Sequence, residues 1–240
     1  MKLLSIRLAI VATTIFGLFS CNNKGFETRF KGTIKGLSKG TIYLKKVEDT
    51  VLVVLDSANL KGSDSFDFKL NISEPDVYYL HLDKKDGIKY NDLIEVFLEQ
   101  TETISLTTQL DKFNRKLVVK GSKNHQLFET YKKVNSEFNK KRFSLLRSNF
   151  DAVKNNNQDS IKLIYDQLNK TLKHKYLYTI NFALRNKDYH VAPYVVVKEI
   201  ADVNTKYLDT VYNSLAVSIK GSKYGKQLKE LIAERKAEKK

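Results

Sequence analysis

Residues 117–138 read LVVKGSKNHQLFETYKKVNSEF, and the hydrophobic period changes inside them. Up to Lys120 the chain alternates as strands do. After Gly121-Ser122, Leu127, Tyr131, Val134 and Phe138 recur at helical spacing, with Ser122 placed to cap the first turn. N-terminal to that point the period is two: Phe26, Phe30 and Ile34 share parity, as do Ile42 and Leu44, then Phe66, Phe68 and Leu70. Ile94, Val96 and Leu98, followed by Ile104 and Leu106, continue the pattern. Gly36 to Gly40, Gly62-Ser63-Asp64, Asp83 to Gly87 and Gln100-Thr101 read as the turns between. Val51 to Leu55 and Val77 to Leu82 are more continuously apolar and read as inner strands. About eight short strands at this spacing predict an antiparallel sandwich or a partial barrel.

C-terminal to the switch the reading is all-α. A second helix is expected from about Ser160, with Ile161, Ile164, Leu168 and Leu172 on one stripe, ending near Asn186. Pro193 sits where a third would begin, Thr205 is placed to cap a fourth, and Ser222 a last one carrying Leu228, Leu231 and Ile232. Glu234 to Lys240 has no apolar residue beyond Ala237 and is expected to fray. The fold class is therefore α+β: a β-domain over residues 26–121, followed by a helical domain over residues 122–240.

The 240 residues are 42% hydrophobic and include 13 Phe and 13 Tyr, enough apolar material for a core. Only one cysteine is present, which excludes an intramolecular disulfide, a CxxC redox centre and a cysteine metal cluster. That cysteine is Cys21, and what precedes it gives it meaning. Lys2 and Arg7 precede an uncharged run, residues 8–20, LAIVATTIFGLFS. Its helical length is about 20 Å against a hydrocarbon core of about 30 Å, so it reads as a signal peptide and not a membrane span. Leu18-Phe19-Ser20-Cys21 resembles a bacterial lipobox, which makes Cys21 the lipidated N-terminus of the mature chain, with residues 21–25 a short tether. The expected location is the outer membrane on its periplasmic face, with the cell surface as the alternative. No acidic cluster follows Cys21.

The net charge of +15 is unevenly spread. Residues 22–123 carry 17 basic and 15 acidic side chains, residues 124–240 carry 23 and 12. An exported protein does not use this charge on nucleic acid. Solvated helix faces account for it, and attraction to anionic headgroups or an acidic partner is the sharper reading.

A sequence of short motifs then supports a comparison. Phe30-Lys31-Gly32-Thr33-Ile34, Gly40-Thr41-Ile42-Tyr43-Leu44, Leu55-Asp56-Ser57-Ala58 and Phe66-Asp67-Phe68 come in order, followed by Ile94 to Leu98 and Val119-Lys120-Gly121-Ser122. The order resembles the domain of unknown function at the N-terminus of many Bacteroidota thiol–disulfide oxidoreductase lipoproteins. Ala192-Pro193-Tyr194-Val195 and Ser222-Lys223-Tyr224-Gly225-Lys226 resemble the helical segment of that family. There a thioredoxin-like domain with a CxxC pair usually follows, and Lys240 falls where it would start. The resemblance thus implies the accessory portion without the enzyme, and carries over no catalytic residue.

Other chemistry is sparse. His81, His125, His174 and His190 have no metal-site spacing. Asp92, Glu95 and Glu99 read as a solvated strand or loop face, and of Tyr78-Tyr79 one ring is expected inward and one outward. No catalytic residue, metal or cofactor is expected, and no ligand-binding residue is assigned. The functional expectation is a non-catalytic, membrane-anchored envelope lipoprotein acting as a binding or interaction module. The alternative is an accessory subunit working in trans with a separate thioredoxin-like redox protein.

Overall fold

The computed structural model describes residues 27–84 and 92–238. The leader, Cys21 and its tether, part of the turn after Asp83, and Lys239 and Lys240 lie outside the described residues. Eight strands come first: β1 (Glu27–Lys35), β2 (Lys39–Glu48), β3 (Val51–Lys61), β4 (Ser65–Asn71), β5 (Asp76–Asp83), β6 (Leu93–Leu98), β7 (Thr103–Gln109) and β8 (Val118–Lys120). They form two four-stranded sheets, ordered β4-β1-β7-β8 and β3-β2-β5-β6. Alternation sends Phe30, Phe68 and Ile104 from the first sheet and Ile42, Leu80 and Val96 from the second into one buried cluster between them. The β-half is a sandwich.

One ladder departs from the antiparallel expectation. β1 runs parallel to β7, from Arg29 opposite Thr103 to Lys35 opposite Gln109. The cause is the corner after β6: β6 and β7 belong to different sheets, so the chain crosses between sheets at Glu99 to Glu102 and arrives beside β1 in the same direction.

A second departure concerns Val51 to Leu55. Val77 to Leu82 is indeed an inner strand, but β3 is the sheet edge and all five of Val51 to Leu55 are exposed, Val51 by 63%. Pairing of β5 with β2 ends at Lys46 opposite Tyr78, whereas pairing of β3 with β2 continues to Val51 opposite Glu48. The end of β2 and the start of β3 therefore continue past β5 as a two-stranded ribbon. A continuous apolar run signals burial on two faces only when sheets or helices cover both, and here neither covers it.

Six helices follow: α1 (Lys123–Lys154), α2 (Gln158–Arg185), α3 (Val191–Glu199), α4 (Thr205–Ser214), α5 (Val217–Lys220) and α6 (Lys223–Ala237). Ser122 caps α1, its hydroxyl accepting from the His125 N–H at 3.1 Å, and Ser222 caps α6 by accepting from the Gly225 N–H. Gly121 makes the sheet-to-helix turn possible. Its φ is +98°, and a β-carbon there would stand 2.1 Å from the Thr103 carbonyl oxygen.

Three helix expectations are corrected. The α4 cap is Asn204 and not Thr205, which is itself buried. On α1 the buried face is Phe128, Tyr131 and Asn135, while Val134 is exposed: the face is offset by one position from the stripe read in sequence. The last helix continues past Glu234 to Ala237, where Arg235 donates to the Ala201 carbonyl and Lys236 pairs with Asp209 at 2.8 Å; Lys239 and Lys240 lie outside the described residues.

The helices share a core with the sandwich's outer face. Val77 of β5 and Phe97 of β6 are buried in the same cluster as Tyr131, Ala183, Val195, Leu208 and Leu228. Among the described residues no helix is long and apolar enough to cross a membrane.

Candidate functional site

Where the ribbon, β5 and the helices meet, they enclose a cleft of about 490 Å³. Its walls are Lys46 to Asp49 from the ribbon, Asp76, Val77 and Tyr79 from β5, Tyr194 and Lys198 from α3, and Lys223, Tyr224 and Gln227 from α6. At its base Asp76, its side chain only 6% exposed, starts β5 directly after Pro75. Its Oδ1 accepts from the Val77 N–H at 2.8 Å and from the Tyr224 hydroxyl, and its Oδ2 from the Lys223 ammonium. Lys46 stands 3.7 Å from the same Oδ2. A carboxylate buried this deeply is tolerated because two cations and two hydrogen-bond donors surround it.

The rings form the second part of the wall. Tyr194 meets Tyr224 edge-on at 4.9 Å between centroids, and on its inner side meets Phe97 and Phe128. Burial pushes the Tyr194 phenol far above its ordinary pKa. Burial also raises Tyr224, reinforced by its hydrogen bond to the Asp76 carboxylate. Both phenols stay protonated, and the Tyr224 hydroxyl donates to Asp76. With the Asp76 oxygens already engaged, the cleft offers ring surfaces, the ammonium groups of Lys46, Lys198 and Lys223, and the ribbon carboxylates of Glu48 and Asp49: chemistry for holding a ligand.

A separate polar joint lies at the corner between β6 and β7. Both carboxylate oxygens of Glu99 accept from the Asn124 amide, at 3.0 and 2.9 Å, and the Asn124 carbonyl accepts from the Val191 N–H at 2.9 Å. One side chain so links the sandwich to the starts of α1 and α3. Glu102 faces Glu99, and burial together with that second carboxylate raises its pKa well above the usual range. His125 Nδ1 accepts from the buried Phe97 N–H at 3.2 Å. Burial lowers its pKa to about 4. Its Nε2 is 3.9 Å from Glu129, beyond hydrogen-bonding range, and Lys132 pairs with that carboxylate at 3.0 Å. His125 is accordingly a neutral structural acceptor.

The residues singled out in sequence thus divide. His125 and His190 lie at the joint, His81 lies on β5 with Nδ1 3.0 Å from the Lys45 ammonium, and His174 is exposed on α2. Asp92, Glu95 and Glu99 are not a merely solvated face: they hold Lys84, Lys132 and Asn124 respectively. The two rings of Tyr78-Tyr79 do face opposite ways: Tyr78 lies in the sandwich core, and Tyr79, on the outer face, packs against the helical core. Among the described residues no group of three His, Cys, Asp or Glu side chains could hold a metal ion. Sequence reading missed Asp76, Lys223 and the Tyr194–Tyr224 pair as a site. The two helical motifs quoted above carry both tyrosines, but only the fold brings them together.

The architecture defines an α+β protein, a two-sheet domain capped by helices. Residues 28–128, spanning the whole sandwich and the first turns of α1, match the family described as a domain of unknown function (DUF4369). No curated protein matches the chain. Among solved structures, the crystal structure of transthyretin from Sparus aurata is 16% identical, matched over 41% of this chain and 97% of that one, with a TM-score of 0.25. So slight a likeness carries no argument.

Proposed function

We propose that this chain is a membrane-anchored envelope lipoprotein, held through lipid on Cys21, that serves as a non-catalytic interaction module. The observation that carries the reading is the open edge of β3. Five consecutive aliphatic residues, Val51 to Leu55, are exposed on a strand that has no neighbour on its outer side among the described residues. Such an edge presents unpaired N–H and C=O groups beside apolar side chains, and the occupant that satisfies both is an extended peptide segment of a partner, added as a further strand. The acidic residues Asp49 and Asp56 at either end of the run favour a segment with basic flanks. The engaged state of Asp76 is consistent with a module that binds and does not catalyse.

Two measurements test this. Mass spectrometry of the protein isolated from cell envelopes should find Cys21 modified and the leader removed, and Cys21→Ala should abolish membrane retention. A photo-crosslinking residue at Leu52 should capture a defined envelope protein, with Val53→Lys suppressing that adduct and a crosslinker on the far side of the sandwich giving none. Equal capture from both positions would overturn the strand-addition reading. If the captured protein is thioredoxin-like, the redox-accessory reading takes its place.

A further inference from the structure

The α1–α2 hairpin carries a second unpartnered surface, whose chemistry points to a different occupant. The helices are joined by an inner seam of Leu145, Ala152 and Ile164, packed with Ile161 and Leu168. Beside that seam, Phe143, Leu146, Phe150 and Val153 are all exposed, Phe143 by 73% and Phe150 by 71%. Their spacing of three, four and three residues keeps them in one arc, about 80 to 160° round from Leu145 at about 100° per residue. On α2, Tyr165 and Leu172 are exposed about 80 to 100° round from Ile164 in the same rotational sense. In an antiparallel pair, equal rotation away from the seam brings both arcs to one side of the hairpin. Leu163 and Leu177 are exposed elsewhere on α2 and do not join this face.

Charge is arranged around the same face. Residues 140–175 hold nine Lys or Arg against three acidic side chains. By the same angular reckoning Arg147, Lys154, Lys162 and Lys173 rim the apolar arcs, and none of the four makes an ion pair among the described residues. The three acids, Asp151, Asp159 and Asp166, fall further round, beyond that rim. Exposed aromatic and aliphatic residues bordered by unpaired cations, on helices too polar to span a membrane, fit a helix pair lying in the headgroup layer.

We infer that this face of the hairpin docks on an anionic lipid surface, with Phe143 and Phe150 buried at the headgroup boundary and the basic rim on the phosphates. The inference rests on the envelope-lipoprotein reading for its biological setting, and its test is independent of Cys21.

The chain from Asn22 to Lys240 keeps every described residue and contains no cysteine. It is mixed with vesicles of phosphatidylcholine alone, or of phosphatidylcholine and phosphatidylglycerol at about 7:3, where partitioning should favour the anionic vesicles about tenfold or more and fall with added salt. Phe143→Ser with Phe150→Ser should abolish it while far-UV circular dichroism stays unchanged, since both side chains are already in solvent. A polarity-sensitive fluorophore on Phe150→Cys should shift to the blue on the anionic vesicles, and one on Leu163→Cys should not. Equal partitioning to both vesicle types, an unaffected double serine variant, or an unchanged signal at position 150 would each overturn the inference. Loss of a protein partner in the double variant, without any vesicle binding, would reassign the face to an acidic helix. Absence of lipid on Cys21 in cells would refute the anchoring reading and leave the vesicle result standing.

Discussion

At the scale of single residues, the fold depends on a few positions that tolerate no ordinary substitution. Gly121 combines a φ of +98° with the Thr103 carbonyl lying where a β-carbon would go, so Gly121→Ala should cost about 2–3 kcal/mol in urea unfolding. Gly62, at φ +74° with nothing within 4 Å, is the control: its alanine variant should lose only about 1 kcal/mol. Asp76 makes the same point in electrostatics. Asp76→Ala leaves Lys223 and the Tyr224 hydroxyl partly buried without their acceptor and should destabilise by roughly 3 kcal/mol. Tyr224→Phe removes one hydrogen bond and should cost about 1 kcal/mol by the same measurement. Gly121 was legible in sequence as the break between two periods. Asp76 was not, because its partners Lys223 and Tyr224 are about 150 positions away and nothing local marks the carboxylate as buried.

At the scale of elements, periodicity located most strands and helices, and failed where burial depends on what lies opposite. The run from Val51 to Leu55 has the composition of a core strand, and only the end of the β5 ladder at Lys46 opposite Tyr78 leaves it uncovered. Val134 shows the same limit on α1: at helical spacing from Tyr131, yet turned away from the core by the offset of the packed face. A charge on the ribbon should therefore be tolerated by the fold. Val53→Lys should leave the thermal midpoint within about 2 °C of the parent, as for surface positions generally. Concentration-dependent association, followed by light scattering, should decrease.

For the whole molecule, the helices pack on the sheet, as their apolar stripes lead one to expect, through a shared core. Val77 and Phe97 are sandwich residues packed in the helical cluster, and Asn124 ties Glu99 to Val191 across the joint. A fragment of residues 22–121 should thus expose both apolar side chains and aggregate on size-exclusion chromatography, where the chain from Asn22 to Lys240 runs as a folded species. The joint also sets how stability depends on pH. His125 stays neutral in the folded protein down to about pH 4, whereas an unfolded histidine takes its proton near 6.5. Stability should fall as the pH drops between those values, by up to roughly 3 kcal/mol, and level off below. Glu102 acts in the opposite direction. Its raised pKa means the folded state resists ionisation, so Glu102→Gln should raise the thermal midpoint at pH 7 to 8 and have no effect near pH 4.

The parallel pairing of β1 with β7 has a mechanical consequence. β1 is the first described element and sits inside its sheet, with seven residue pairs to β4 on one side and seven to β7 on the other. A pull along the axis of β1 would load both ladders in shear, so that their hydrogen bonds yield together. A strand at the edge, pulled across its ladder, would open one bond at a time. β1, held from both sides, is the strand of this sheet best placed to resist a pull along its axis.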